Sequence, residues 1–209
     1  MLLLSDPSVA AVPVHDLGEP LVDVRELGLA LDHRKADPQG SWARVREGVG
    51  RRLVRAQQLL PEGFSLLVVE CHRPAALQQR YFDEHCAELA ATRPGRNAEQ
   101  VAIEASQHIS PPGVAPHPCG AAVDLTLAVD GRELDLGTRV NATPDESDEA
   151  CFTAATNVPA EAHRLRDVLG AAMSGAGLVN YPPEWWHWSF GDRYWATVTG
   201  APAALYAPI

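Results

Sequence analysis

The chain of 209 residues is poor in the features that would assign it to a class at once. It has no apolar run of the roughly 20 residues that a membrane-spanning helix needs. Its start, Met1-Leu2-Leu3-Leu4-Ser5-Asp6-Pro7, has no basic segment and only a short apolar one. No secretory signal is therefore expected, and a cytoplasmic location is. The four cysteines, Cys71, Cys86, Cys119 and Cys151, form no CxxC pair. They read as free thiols in a reducing compartment and not as a disulfide scaffold. Positive charge is scarce too: 17 Lys and Arg stand against 27 Asp and Glu, a formal net charge of −10. A nucleic-acid surface needs clustered basic residues, so nucleic acid and anionic membrane are excluded as partners. There is no internal repeat and no low-complexity tract.

What remains is an ordinary globular composition, 46% hydrophobic and 21% charged, in a chain long enough to bury a core. One domain over 1–209 is expected, with an irregular arm over 1–40 and a tail over 199–209. Val45, Val49, Leu53, Ala56 and Leu60 recur at helical spacing and predict a helix over 42–60. Ser65 to Glu70 is a short apolar run and predicts a buried strand. Pro74 opens a helix that runs to about 91, and a short helix is expected after the loop 93–97. Residues 121–129 read as a strand, with Asp130-Gly131 as its hairpin turn. Residues 137–158 read as a long polar loop of the kind that covers a site. A helix over 159–175 and two late strands, over 184–190 and 194–198, complete the pattern. The fold class is α+β, a mainly antiparallel central sheet flanked by helices.

Two runs carry chemistry. Glu184-Trp185-Trp186-His187 sets a carboxylate and an imidazole three positions apart in an aromatic wall, and His117-x6-Asp124 adds a second imidazole and a second carboxylate. A catalytic zinc takes three ligands from His, Asp and Glu and leaves one position open. His117, Asp124 and His187 are the three candidate ligands, and Glu184 is the candidate base that touches water and not metal. Taken singly, His117 would be a hydrogen-bonded structural histidine, Asp124 a strand-end acid and the tryptophans core. Strand parity opposes both pairs, since odd separations point side chains to opposite faces. Pro116, Pro118 and Gly120 are expected to interrupt the first run, and Pro182 and Pro183 to put Glu184 at a bend. Cys119 is a lesser ligand candidate, because it would point away if Asp124 ligates. His15, His33, His85, His108 and His163 have no ligand spacing.

These motifs resemble those of the zinc D-alanyl-D-alanine dipeptidases of the vancomycin-resistance type, in the M15 family of D,D-peptidases with a hedgehog-like zinc fold. The shared elements are His117-x6-Asp124, the Glu184-to-His187 run, Arg73-Pro74 after a buried strand, and Leu136-Gly137-Thr138. The resemblance implies one Zn2+ held by His117, Asp124 and His187. It implies Glu184 as general base and Arg73 as the cation that stabilises the oxyanion. It also implies a small dipeptide as substrate, and it leaves the oligomeric state open. His72, next to Arg73, is a candidate for the pocket wall.

Recognition is where the chain departs from that pattern. Ala115 stands where the family commonly has Ser. Asn141 stands where it commonly has the acid that binds the dipeptide's free amino group. Asn accepts a hydrogen bond but carries no charge; Asp145, Glu146 or Asp148 are candidate replacements. The family's N-terminal Tyr-Ala-Thr-x-Asn-Phe segment is absent. The expected activity is hydrolysis of D-alanyl-D-alanine or a related D-amino-acid dipeptide. The alternatives are a D,D-carboxypeptidase acting on a peptidoglycan stem, or a zinc-containing binding domain without catalysis. Glu184 and Arg73 argue against the last, because a structural zinc needs neither.

Overall fold

The structure is a computed structural model and describes residues 1–106 and 109–209; His108 lies outside the described residues. The N-terminal segment holds one helical turn, α1 (Pro7–Ala10), and two short strands, β1 (Leu21–Asp23) and β2 (Ala30–Leu31). A 3₁₀ turn leads into β3 (Arg44–Arg46), followed by α2 (Glu47–Leu59), β4 (Phe64–Glu70), α3 (Ala75–Thr92) and α4 (Ala98–Ala105). A second 3₁₀ turn, His117–Cys119, precedes β5 (Ala122–Val129) and β6 (Arg132–Glu133). Then come α5 (Pro144–Ser147), α6 (Ala160–Gly175), β7 (Val179–Tyr181), β8 (Glu184–Ser189) and α7 (Arg193–Thr199).

The main sheet runs β2-β4-β5-β8-β7, with β6 paired to β5. Only β2 and β4 pair in parallel; the other pairings are antiparallel, so the α+β reading with a mainly antiparallel sheet holds. Alternation along β5 divides its side chains between two faces. Val123, Leu125 and Leu127 enter the main core with Val49 and Leu53 of α2 and Leu165 and Leu169 of α6. Asp124 and Thr126 take the other face, so a strand that is buried almost throughout offers one carboxylate to the site.

Three expectations need correction. Residues 194–198 are helical, not a strand. Asp192 Oδ1 accepts from the Tyr194 and Trp195 amides at 2.7 and 3.1 Å, and Gly200 closes α7 in a left-handed conformation. Those are ordinary start and stop signals, and they outweigh the β-preferring side chains between them. The helix expected over 42–60 begins only at Glu47, because residues 44–46 pair with β1. The loop over 137–158 contains α5, started by a capping box between Thr143 and Glu146. The arm and tail are both packed: Leu4 and Val9 are buried against Tyr181 and Tyr194, and Tyr206 is buried with its hydroxyl on Glu19.

Two buried arginines tie the irregular segments to this frame. Arg46 donates to the carbonyls of Cys119, Glu19 and Ala207, at 2.9, 2.6 and 3.0 Å, and so joins the arm, the 3₁₀ turn before β5 and the tail. Arg166 of α6 donates to Leu136, Phe152 and Ala150, at 2.8, 2.9 and 2.8 Å. It pins both ends of the loop that carries Asn141. Substituting Arg166→Met keeps the apolar stem and strips three carbonyls of their donor. We expect a loss of about 2–4 kcal/mol in urea denaturation, with faster amide exchange over 137–158; a change below about 0.5 kcal/mol would show that the loop holds itself.

Candidate metal centre and catalytic cleft

Sheet register aligns the centre. Across three neighbouring strands, Glu70 of β4 lies opposite Asp124 of β5, and Asp124 opposite His187 of β8. His117 arrives from outside the sheet, on the 3₁₀ turn that ends at Gly120. Gly120 has φ +64°, and a Cβ there would sit 2.6 Å from Leu21 Cδ2, so both the turn and the close approach require glycine. The interruption expected between His117 and Asp124 is thus present.

The second parity problem is resolved differently from expectation. Pro182 and Pro183 connect β7 to β8, but Glu184 is already paired with Tyr181, and the irregularity follows it. Asn180 pairs with Trp188, so Trp185, Trp186 and His187 have no counterpart on β7. The Asn180 side-chain amide bridges the gap, donating to the Glu184 and His187 carbonyls at 3.1 and 3.0 Å. Its oxygen accepts from the Thr153 hydroxyl at 2.6 Å. This bulge lets Trp186 and His187, though adjacent, both line the cleft with Glu184.

His117, Asp124 and His187 are each buried, and one potential ligand atom from each lies within 4.8 Å of the others. His117 Nδ1 is 2.6 Å from the Cys71 carbonyl, which can only accept. Nδ1 therefore holds the proton, and in the neutral ring Nε2 turns a lone pair toward Asp124 Oδ1 at 3.4 Å. Two acceptors face each other there, an arrangement that calls for a cation between them. His187 Nδ1 lies 3.0 Å from the same oxygen. Glu70, Asp124 and Glu184 are opposed by the Arg73 guanidinium, and with both imidazoles neutral negative charge is in excess at the site. A divalent ion fits that donor set and that charge.

The electrostatics agree with the geometry. Burial works against the Asp124 carboxylate, yet in the metal-free site the two imidazoles, when protonated, outweigh it and hold its pKa far below the usual range. Burial also opposes a charged His187, but the Asp124 hydrogen bond and charge prevail and raise its pKa. Glu184 goes the other way. Withdrawal from bulk water raises its pKa and Asp124 adds to the rise, against the pull of His187, His117 and Arg73. Its side chain remains 32% exposed to the cleft, with Oε2 3.8 Å from His187 Nδ1.

Arg73 is held in a fork by Glu70, Nε to Oε1 at 2.8 Å and Nη2 to Oε2 at 2.7 Å, while Nη1 donates to Gln78 at 2.8 Å. Gln78 in turn donates to the Ser110 carbonyl at 2.7 Å. Burial pushes the Glu70 pKa up, but Arg73 more than reverses it. Glu70 and Gln78 escaped the reading of the sequence; the only hint of Glu70 was an acid three positions before an arginine. Ala115 and Asn141 line the cleft, as do Asp145 and Glu146. His72 is not among the lining residues: its amide bonds to the Arg44 carbonyl, and burial, then the nearby His117 and Arg46, lower its pKa. Cys119 directs its thiol at the Ala115 carbonyl and is not in the ligand cluster.

With fold and site described, the chain can be set beside known proteins. The peptidase M15 family model, described as D-ala-D-ala dipeptidase, matches residues 35–200. A D-alanyl-D-alanine dipeptidase of Synechocystis sp. is 31% identical over 217 residues, covering 89% of this chain and 87% of that one. A D-alanyl-D-alanine dipeptidase of Escherichia coli K12 is 41% identical over 72 residues, 34% of this chain and 35% of that one. The crystal structure of a variant of the vancomycin-resistance D,D-pentapeptidase VanY in complex with Zn(II) superposes with a TM-score of 0.50. It shares 19% identity over 95% of each chain, a likeness of fold.

The raised His187 pKa has a direct consequence for metal uptake. Below that pKa a proton occupies the imidazole and must leave before the nitrogen can ligate. Because the shift is upward, competition extends above the ordinary histidine value of about 6.5. Zinc titrations of metal-free protein should show apparent affinity falling about tenfold or more per unit as pH drops below that raised value. A flat affinity from about pH 6 to 8 would contradict the His187–Asp124 coupling.

Proposed function

The chain belongs to the peptidase M15 family of D-alanyl-D-alanine dipeptidases, and from that premise we propose that it is a zinc metallo-dipeptidase that hydrolyses D-alanyl-D-alanine or a closely related D-amino-acid dipeptide. The observation that carries this reading is the convergence of His117, Asp124 and His187 within 4.8 Å, with Glu184 beside them at the open side of the cleft. His117, Asp124 and His187 would hold a zinc ion, which would act as a Lewis acid and bring the pKa of water at the site down to about 7.

The protein's own groups do the rest. Glu184 takes the proton of the attacking water and returns it to the leaving amine; its raised pKa brings it closer to the operating range of a shuttle. Arg73, immobilised by Glu70 and Gln78, holds its charge where the carbonyl oxygen turns negative. The fork geometry matters, because a guanidinium that is already oriented needs no reorganisation during the reaction. Trp186 and Tyr181, whose ring stands 5.9 Å from that of His187, limit solvent on the apolar side. Cytoplasmic action on a free dipeptide is part of the proposal, supported by four unpaired cysteines. Among the described residues no helix is long and apolar enough to cross a membrane.

Two substitutions separate the roles. Glu184→Gln should retain zinc at full stoichiometry and lose about 10²–10⁴ in kcat; loss of zinc together with activity would make Glu184 a ligand instead of the base. Arg73→Lys should also retain zinc and lose about 10²–10³ in kcat with a smaller change in KM. An unchanged kcat would remove Arg73 from the oxyanion role.

A further inference from the structure

His187 meets the metal cluster with one edge of its ring and leaves the other edge unexplained. Nδ1 lies 3.0 Å from Asp124 Oδ1 and 3.8 Å from Glu184 Oε2, so this nitrogen faces the cluster. A nitrogen that ligates carries no proton, and in the neutral ring the proton then sits on Nε2. His187 Nε2 is buried and has no hydrogen-bond partner among the described residues. A buried donor without an acceptor is costly, and a ligating histidine ordinarily gives that proton to a carboxylate, a carbonyl or a water. Asp192 Oδ2 is a second orphan, buried and equally without a partner. The residue is only 1% exposed. Its Oδ1 is committed to the start of α7, where it accepts from the Tyr194 and Trp195 amides, but Oδ2 has no part in that cap.

The two orphans belong together. His187 and Ser189 share one face of β8, while Trp188 between them enters the main core. The Ser189 side chain lies beside Asp192, which puts Asp192 on the His187 face. Three acids act on the charge of His187: Asp124, Glu184 and Asp192. The first two stand at Nδ1, and Asp192 is the acid left for the Nε2 edge. The His187 charge acts on Asp192 in return. Resting on the zinc site proposed above, we propose that Asp192 is a positioning residue of the metal centre: its Oδ2 receives the Nε2–H of His187 through one buried water and so fixes the ring with Nδ1 toward the metal. That water has His187, Asp192 and the Ser189 hydroxyl as partners, as many as a buried water ordinarily takes. Each oxygen of Asp192 then has its own task, Oδ1 in starting α7 and Oδ2 in orienting a ligand.

Asp192→Asn isolates the second task. Asparagine starts a helix about as well as aspartate does. Its oxygen keeps the cap, and its NH2 replaces Oδ2, which sets a donor where an acceptor is needed. Zinc titrations of metal-free protein should give D192N an affinity about 10- to 100-fold below the wild type, with an unchanged urea midpoint. Gly200→Ala is the structural control. Alanine is strained there at φ +72°, with nothing within 4 Å of its Cβ, so G200A should lower the urea midpoint and leave zinc affinity alone. In the zinc-loaded wild type, nitrogen-15 NMR should find the His187 proton on Nε2, and its resonance should move upfield in D192N. A D192N affinity within about threefold of wild type, an equal loss in G200A, or a His187 proton on Nδ1 overturns the role of Asp192 and leaves the zinc-peptidase reading intact. A wild type that binds no zinc overturns both.

Discussion

The site depends on the pairing of β5 with β8 that sets Asp124 opposite His187. A shift of one residue would send Asp124 toward the core and Leu125 out toward the site, because strand side chains alternate. The register is secured on both flanks. On one side β4 brings Glu70 opposite Asp124; on the other, Asn180 bridges the bulge in β8 through the carbonyls of Glu184 and His187. The row Glu70, Asp124, His187 is therefore a property of the sheet, and only His117 is delivered by an irregular segment.

Such a row has an electrostatic consequence. Two carboxylates lie on adjacent strands, a third enters at Glu184, and one guanidinium opposes them. Burial alone would protonate some of these acids. Glu70 instead keeps its charge through the Arg73 fork, and Asp124 through the two imidazoles. Glu184 has no dedicated cation, and it alone of the three has its pKa raised. The acids are thus sorted by their partners into one that orients the arginine, one that holds the metal and one that is able to trade a proton. Environment makes that division, since the side chains are chemically alike.

Much of this could be read from the residues, and the parts that could not have physical reasons. The convergence of His117, Asp124 and His187 was legible because ligand chemistry restricts residue types and because prolines and glycine stood where a strand had to be broken. The bulge at residues 185–187 was not, since it is stabilised by Asn180, a residue with no local signal, acting across a hairpin. Helix α7 was misread as a strand although Asp192 and Gly200 bracket it; the aromatic and β-branched residues between them obscured the caps. Arg46 and Arg166 carry little local meaning, because their value lies in carbonyls far away in sequence. His72 was placed at the pocket by adjacency to Arg73, and it is not among the residues that line the cleft.

The most direct test of the account is a zinc titration of metal-free protein followed by D-alanine release from a substrate ending in D-Ala-D-Ala. The account predicts no release without metal, a linear rise, and a break at one zinc per chain. Hydrolysis that does not depend on zinc, or one bound zinc per chain with no hydrolysis of that substrate, would contradict it.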